Sequence, residues 1–252
     1  MSANAPQSTP PHNADAKAPQ ALIVSHGQPS DPDPAEAALA ERAAKVQALL
    51  PDTLITSATL AAPGSLEKAL AMLPSGAFVY PMFMADGWFV KVALAKRLKG
   101  HDLQVLAPFG LDANLPALAA QALLRAVKDA DWPTDKTKIL LAAHGYAHGN
   151  AAADSAYLFA GRLARALAGM EVTVGFIEQE PYLAAVAEPL EQPSLCLPFF
   201  AMKGEHVRDD IPEALLKAGF SGPVLPALSQ CEGATDLIAR TLRTALRERN
   251  AV

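Results

Sequence analysis

The sequence predicts an α/β protein made of two tandem, duplicated modules, each a parallel four-stranded sheet flanked by helices, with a functional cleft between them. Three observations predict this fold class. Similar segments recur 117 or 118 residues apart, and short apolar runs alternate with amphipathic helical patterns. The chain has 252 residues, of which 51% are hydrophobic, so it can fill two modules of roughly 120 residues each.

The first repeated element is a short strand that ends in His-Gly. Ala21–His26 (ALIVSH) and Ile139–His144 (ILLAAH) are apolar runs that stop at a histidine followed by a glycine, and the two histidines are 118 residues apart. Short apolar runs bounded by turn residues are typical of buried strands. Each half therefore begins with a strand that presents a histidine at its carboxyl end.

The later elements repeat with nearly the same offset. Phe78–Gly87 (FVYPMFMADG) matches Leu195–Gly204 (LCLPFFAMKG), and VLAPFG around Pro108 matches VLPALS around Pro226. A helical pattern follows each member of the second pair, at Leu115–Val127 and Thr235–Leu246. We expect strands near residues 21, 54, 77 and 103, and near 139, 172, 194 and 223, in parallel sheets covered on both faces. Ligands of such sheets bind beyond the carboxyl ends of the strands.

The domain organisation follows from the repeat. Residues 1–20 are polar and rich in Ala and Pro, which is typical of a disordered tail rather than a signal peptide. Pro133 and the polar stretch Asp135–Lys138 mark a boundary near residue 135. The sequence predicts an N-terminal module at residues 21–134 and a C-terminal module at residues 135–252.

Composition excludes several classes of partner. A net charge of −5 and a pI near 5.7 argue against nucleic acid, and no apolar run approaches the roughly 20 residues that span a membrane. Cys196 and Cys231 are too few for a thiolate metal site and are expected to be reduced core thiols. With no export signal and no disulfide framework, the expected location is the cytoplasm.

Three residues of the C-terminal half are candidate metal ligands. His144 ends the first strand, Glu178 follows the second in Val172–Glu180 (VTVGFIEQE), and His206 follows the third in a loop after Gly204. Two imidazoles and a carboxylate suit Fe, Co, Ni or Zn. Two of the three residues also have a structural interpretation: His144 as a turn histidine, and Glu178 as an acid at a helix start.

The aspartates after His206 have a structural interpretation that we prefer. Asp209 and Asp210 precede Ile211-Pro212, a pattern typical of an N-cap and first turn, so a helix is expected to begin near Asp209–Pro212.

The order of these motifs resembles the sirohydrochlorin chelatase family, relatives of ferrochelatase. His-Gly follows the first strand, GFIEQEPYL the second, and LPFFAMKGEHVRDDIP the third, and the resemblance covers residues 21–248. It implies a lyase that inserts Co²⁺ or Fe²⁺ into sirohydrochlorin or a related tetrapyrrole without ATP, for cobalamin or sirohaem biosynthesis. The resemblance maps the two metal-binding, proton-accepting histidines onto His144 and His206, and the glutamate onto Glu178. It implies no cofactor beyond the substrate metal (Co²⁺, Fe²⁺ or Ni²⁺).

The N-terminal half departs from the family pattern. Phe89 stands at the position matching His206 and Leu60 at the position matching Glu178, so this half keeps only His26. We interpret it as a half that has lost its metal site. His26 is either a third imidazole of the cleft or a leftover structural histidine. Trp88 and Phe89 either cover the macrocycle, whose flat face suits aromatic packing, or belong to the core.

Two other functions remain open. The first is a non-catalytic protein that stores or delivers metal or tetrapyrrole, and the second is a zinc hydrolase, although no HExxH or GxSxG pattern is present. No P-loop or GxGxxG pattern follows a strand, which fits chelation without a nucleotide. The residues leave open the metal, the ring and whether the protein is a monomer or a homodimer. Candidate cations for the substrate carboxylates at the cleft rim are Arg208, Lys203 and Lys91.

Overall fold

A computed structural model of the chain describes residues 20–146 and 150–250. The predicted tail at residues 1–20 lies, apart from Gln20, outside the described residues. Within them the strands are β1 (Ala21–Ser25), β2 (Ile55–Thr59), β3 (Ala77–Pro81), β4 (Leu103–Val105), β5 (Lys138–Ala143), β6 (Glu171–Phe176) and β7 (Ser194–Pro198). The α-helices are α1 (Pro32–Ala48), α2 (Ser65–Met72), α3 (Ala95–Leu98), α4 (Leu115–Asp129), α5 (Ala151–Ala166), α6 (Leu183–Ala187), α7 (Ile211–Lys217) and α8 (Ala234–Asn250).

The strands form two parallel sheets, one in each half. The N-terminal sheet has the order β2-β1-β3-β4 and the C-terminal sheet the order β6-β5-β7. In both, the first strand lies between the next two, so the histidine that follows it emerges at the middle of the sheet edge. The predicted α/β fold class with two duplicated, parallel sheets is confirmed.

One predicted strand is absent from the described C-terminal sheet. Near residue 223 there is only an isolated bridge between Cys196 and Val224, so this sheet has three strands and not the predicted four. Cys196 N–H donates to the Pro223 carbonyl, and Leu225 N–H donates to the Cys196 carbonyl. Pro223 and Pro226 have no N–H to donate, so the ladder cannot extend in either direction.

The core is arranged in layers. β1 and β5 consist almost entirely of buried aliphatic residues because helices cover both faces of each sheet. One large cluster fills the space between the two sheets and takes in residues of α1, α4, α5 and α8. Smaller clusters lie on the outer faces, under α2 and α3 in the N-terminal half and under α6 and α7 in the C-terminal half.

The last helix of each half packs on the other half. α8 contacts α1 and β3, while α4 contacts α5. Arg243 Nη2 donates to the Leu49 carbonyl at 2.9 Å, and the Arg249 guanidinium lies 5.4 Å from the centre of the Phe78 ring. The predicted boundary near residue 135 falls between α4 and β5, but the halves share one central core. Whether they fold as separate domains stays a prediction.

Two smaller expectations can be compared with the structure. Cys196 and Cys231 are free, buried thiols, as predicted. Burial raises the pKa of Cys196 to about 12 and that of Cys231 to about 11. In the described part of the chain, none of the helices is long and apolar enough to cross a membrane.

Candidate metal centre

The two strand-end histidines are held in the same way. His144 follows β5 and His26 follows β1, and each Nδ1 lies close to the carbonyl oxygen of the next glycine, at 2.7 Å for His144 and 2.9 Å for His26. Gly145 and Gly27 have φ values of 74° and 78°, a left-handed conformation that favours glycine. The His-Gly pair therefore turns the chain sharply and fixes the imidazole at the sheet edge.

A π-helical turn brings His206 to His144. Residues His206–Asp210 form this turn directly before α7. The helix α7 begins at Ile211, within the predicted range Asp209–Pro212, but His206 lies in the π-helical turn and not in an open loop as predicted. The two Nε2 atoms are 3.0 Å apart, and the ring planes are nearly perpendicular at 87°. π-helical turns are rare in proteins, and many of those that occur lie at functional sites, because the extra residue redirects side chains.

Asp210 contacts His206 and does not cap the helix. Its Oδ2 lies 2.5 Å from His206 Nδ1, and it makes no side-chain bond to the backbone N–H groups at the start of α7. Asp209 instead accepts from the Arg208 guanidinium at 3.0 and 3.2 Å. The predicted positions of the two aspartates are confirmed, since Asp210 stands at the N-cap position of α7 and Asp209 lies in the first helical turn. The expected capping bond is absent, because the Asp210 side chain contacts His206 instead. A carboxylate on the far nitrogen of a metal-binding histidine is a common arrangement that fixes the tautomer and orients the ring.

Glu178 lies on the other side of His144. Its backbone N–H donates to the His144 carbonyl at 3.0 Å, which holds the end of β6 against the end of β5. Its Oε2 lies 3.6 Å from His144 Nδ1, the nitrogen that faces away from His206. Glu178 thus places a negative charge beside His144 and can orient that ring as well as supply an oxygen ligand.

The three predicted residues form one donor cluster. The ligand-capable atoms of His144, Glu178 and His206 all lie within 4.8 Å of one another, and across residues 20–146 and 150–250 they are the one such group of three or more. Two nitrogens 3.0 Å apart fit one ion at a metal–nitrogen distance of about 2.1 Å, with an angle of about 90° between them.

The hydrogen bonds explain why this pair suits a cation. When Nδ1 of His144 donates to Gly145 and Nδ1 of His206 donates to Asp210, both Nε2 atoms carry a lone pair. Two lone pairs that face each other at 3.0 Å repel unless a proton or a metal ion lies between them. The arrangement is therefore well suited to bind a divalent ion or to accept a proton.

The N-terminal half repeats this geometry, but it has no counterpart of the donors His206 and Glu178. Phe89 starts the matching π-helical turn, Phe89–Leu94, and its ring centre lies 4.3 Å from that of His26, against 4.4 Å for His206 and His144. Ala61 N–H donates to the His26 carbonyl as Glu178 N–H does to that of His144. The position matching Glu178 is thus Ala61 and not Leu60 as predicted, because the offset falls from 118 to 117 residues between the first and second strands.

The loops of the two half-sites touch. Gln28, after β1, donates through Nε2 to Glu205 Oε2 at 2.9 Å, and Glu205 directly precedes His206. A Cβ atom built on Gly87, just before Trp88, would lie 3.6 Å from the Cβ of Ala151 at the start of α5. The carboxyl edges of both sheets therefore adjoin, and the His26 and His144 half-sites lie along one shared edge.

Two of the predicted rim cations are engaged by neighbouring acids. Arg208 pairs with Asp209, which raises the pKa of the guanidinium, and Lys91 Nζ lies 3.2 Å from Asp86 Oδ2. Both pairs are exposed, so each costs little to exchange for a substrate carboxylate. Lys203 is exposed in the segment between β7 and the π-helical turn.

The chain is similar to proteins of one known family. A family model described as CbiX matches residues 138–248. The structure of CbiX, described as the terminal enzyme for biosynthesis of siroheme in denitrifying bacteria, is 39% identical with a TM-score of 0.82, covering 90% of this chain and 99% of that one. No curated protein matches the chain.

Two more distant structures are similar in fold alone. SirB from Bacillus subtilis with Fe³⁺ is 13% identical with a TM-score of 0.72, covering 92% of this chain and 96% of that one. DR2241 from Deinococcus radiodurans, described as a multi-domain protein with structural similarity to chelatases, is 20% identical with a TM-score of 0.62, covering 91% of this chain and 54% of that one.

Proposed function

Because this chain belongs to the CbiX family of chelatases, we propose that it inserts a divalent metal ion into sirohydrochlorin or a closely related tetrapyrrole. The observation that carries the proposal is the pair of Nε2 atoms 3.0 Å apart at the carboxyl edge of the C-terminal sheet. The metal is a substrate in this reaction, and the candidate ions are Co²⁺, Fe²⁺ and Ni²⁺. The CbiX relative is described as an enzyme of siroheme biosynthesis, so Fe²⁺ is the ion to test first.

The two histidines have a double role in the proposed mechanism. Insertion places M²⁺ on the ring nitrogens and removes two pyrrole N–H protons. His144 and His206 hold the ion through Nε2, and each Nε2 lone pair that the ion leaves can accept one of these protons. A neutral imidazole suits both tasks because it is both a ligand of divalent ions and a base. The exchange is balanced, since one M²⁺ leaves the pair of imidazoles and two protons replace it.

The carboxylates support this exchange. Glu178 beside His144 and Asp210 beside His206 provide negative charge next to each ring. An imidazole that has taken a proton at Nε2 is a cation, and a carboxylate within 4 Å of its Nδ1 stabilises that cation. We assign Glu178 to the metal cluster and Asp210 to the orientation of His206.

The chain provides both sides of the proposed cleft. The half-sites after β1 and β5 adjoin through the Gln28–Glu205 hydrogen bond, so both half-sites of the proposed cleft belong to one copy of the chain. We therefore propose a monomer as the active form, in the cytoplasm, where a tetrapyrrole and a reduced metal ion are available.

The test is metal insertion measured under anaerobic conditions. Purified protein is mixed with sirohydrochlorin and Fe²⁺ or Co²⁺, and the change in ring absorbance is followed beside a His144→Ala/His206→Ala variant and a reaction without protein. We expect the wild-type rate to exceed both controls clearly. Equal rates in all three reactions would contradict the chelatase proposal.

A delivery protein is the second candidate. The observation that favours it is the loss of donors at Phe89 and Ala61, because proteins that only bind need not keep both half-sites. The insertion assay separates the two: a delivery protein binds the ring or the ion without raising the insertion rate above that of the reaction without protein.

A further inference from the structure

The N-terminal half-site, which keeps His26 as its one imidazole, carries a cluster of aromatic rings. Phe89 contacts Trp88 edge-on at 5.2 Å between ring centres and stacks near-parallel on Phe83 at 6.2 Å, while His26 lies edge-on at 4.3 Å. We call Trp88, Phe89, Phe83 and His26 the aromatic half-site. It occupies in the N-terminal half the place that His144, His206 and Glu178 occupy in the C-terminal half.

The outer rings of this cluster face solvent. Trp88 is 59% exposed and Phe89 is 40% exposed, and Val92, four residues after Trp88 in the same helical segment, is 47% exposed. Large apolar side chains grouped at the surface cost free energy unless a ligand or a partner covers them. The sequence alternative that placed Trp88 and Phe89 in the core is therefore wrong.

The position of the aromatic half-site points to a ligand that it shares with the adjoining metal donors. It lies at the carboxyl edge of the parallel N-terminal sheet, the edge at which such sheets bind ligands. Gly87, just before Trp88, lies so near α5 that a Cβ atom built on it would be 3.6 Å from that of Ala151, and Gln28 after His26 bonds to Glu205 beside His206. The aromatic rings are therefore in position to contact a flat ligand that is held at the metal donors.

We propose that the aromatic half-site binds a face of the tetrapyrrole macrocycle while the other half-site presents the metal. This inference rests on the proposed function. A flat conjugated ring packs favourably on aromatic side chains, and the lack of an oxygen or second nitrogen donor keeps metal from competing for this half-site. The two half-sites then have different roles: the C-terminal half-site binds the ion and the aromatic half-site binds the ring.

The test measures ring binding without metal. Metal-free sirohydrochlorin is titrated into Phe89→Leu and Trp88→Leu variants, which keep an apolar side chain but remove the ring, and binding is followed by ring absorbance. We expect each dissociation constant, and each KM for the ring, to rise about tenfold with kcat changed less than about twofold. Leu216→Ala, which alters an exposed apolar residue on α7 outside the half-site, is the control and should bind like wild type. Phe89→Tyr, which keeps an aromatic ring, should bind more tightly than Phe89→Leu.

A second readout reports on Trp88 directly. The chain has two tryptophans, Trp88 and the half-buried Trp132, so a Trp132→Phe background leaves Trp88 as the sole indole emitter. Saturable quenching of its fluorescence by metal-free ring supports the proposal, and ring binding without quenching overturns it. Metal affinity measured with Co²⁺ alone should be unchanged in Phe89→Leu.

The outcomes separate this inference from the proposed function. Wild-type insertion with unchanged ring affinity in both leucine variants overturns the aromatic half-site and leaves the chelatase proposal standing. Ring binding that depends on Phe89 and Trp88 without insertion supports the half-site and contradicts the chelatase proposal. Self-association that Trp88→Leu abolishes, with ring affinity unchanged, would assign the cluster to a dimer interface and overturn the inference.

Discussion

Asp210 shows how much one side chain adds at the scale of the residue. Its carboxylate lies 2.5 Å from His206 Nδ1, so it fixes which nitrogen of His206 carries the proton and which faces His144. Without an acceptor at this position the imidazole can rotate or change tautomer, and the Nε2 pair at 3.0 Å is no longer preformed.

We expect Asp210→Asn to weaken binding of Co²⁺ by roughly 10- to 100-fold, because outer carboxylates typically contribute this much to a metal site. Calorimetric titration with Co²⁺ alone measures it. Asp209→Asn is the matched control, since Asp209 is adjacent but pairs with Arg208. Equal metal affinity in the two variants would show that Asp210 does not position His206. A purely structural role of Asp210 would lower the melting temperature without this change in affinity.

The buried thiols give a pH-dependent prediction. Burial raises the pKa values of Cys196 and Cys231 to about 12 and 11, so at pH 8 almost no reactive thiolate is present. We expect iodoacetamide to modify both cysteines within minutes in denaturant and neither on that timescale in the native protein, as mass spectrometry would detect. Rapid native labelling would contradict the burial.

The same shift predicts a direction for stability. The folded state holds these protons more tightly than the unfolded chain does, so stability falls as the pH rises above the ordinary thiol pKa of about 8.5. Below that pH the two thiols contribute no pH dependence. Denaturant unfolding of Cys196→Ala and Cys231→Ala beside the wild type from pH 7 to 10 would measure how much each thiol contributes to this pH dependence of the free energy of unfolding.

At this scale the sequence predicted the donors but not their orientation. His144, Glu178 and His206 could be predicted because strand ends of a parallel sheet meet at one edge. Asp210 could not, because an aspartate before Ile-Pro is equally typical of a helix start, and the spacing of four residues from His206 gained its meaning only from the π-helical turn.

The π-helical turns dominate at the scale of the element. Phe89–Leu94 and His206–Asp210 follow β3 and β7 at equivalent positions, and each starts with the ring that meets a strand-end histidine. The turn is therefore a property of the repeated module, and the residue at its first position decides whether the half-site has a second imidazole beside the strand-end histidine.

We expect Phe89→His combined with Ala61→Glu to raise the metal stoichiometry from one ion per chain to two. The new imidazole would face His26 as His206 faces His144, and Ala61 occupies the backbone position of Glu178. The second site should be at least about tenfold weaker, because Ala93 stands where Asp210 would be. Co²⁺ titration measures this, with Phe89→Tyr as the control. A stoichiometry that stays at one would contradict the equivalence of the half-sites.

The positions of seven strands were predicted closely, but the eighth predicted strand, near residue 223, is only an isolated bridge. Seven expected strands occur within a residue or two of their predicted starts because continuous apolar runs in a doubly covered sheet have a strong pattern. The run near residue 223 has a similar composition, but Pro223 and Pro226 remove the donors that a strand requires. An apolar sequence pattern does not by itself show whether a segment has the backbone N–H groups that a strand requires.

At the scale of the whole molecule the exchange of α4 and α8 is the dominant feature. The buried face of α8, with Leu237, Ile238 and Leu242, packs in the central core against the N-terminal half, to which it does not belong in sequence. Repeat analysis could not reveal this, because the periodicity of a helix shows which face is buried but not which half buries it.

We expect residues 20–134 and 135–250 to fail to fold when produced separately. The N-terminal half would lose the contacts of α8 with α1 and β3, the C-terminal half would lose those of α4 with α5, and each would expose the helix that packs on the other half. Produced together, they should recover a single cooperative thermal transition and the metal affinity of the intact chain. Circular dichroism on heating measures the first and Co²⁺ titration the second. A cooperative transition in either half alone would contradict the shared core and would favour two independent domains.

The exchanged helices also change what the segment between α4 and β5 has to do. A protease that cut residues 130–137 would leave two fragments, each still holding a helix of the other, so separation would require the unfolding of both. In this respect the chain is like a dimer whose two subunits exchange a helix and are joined by a linker. The two half-sites can therefore carry different residues, because each half always meets the other half of the same chain.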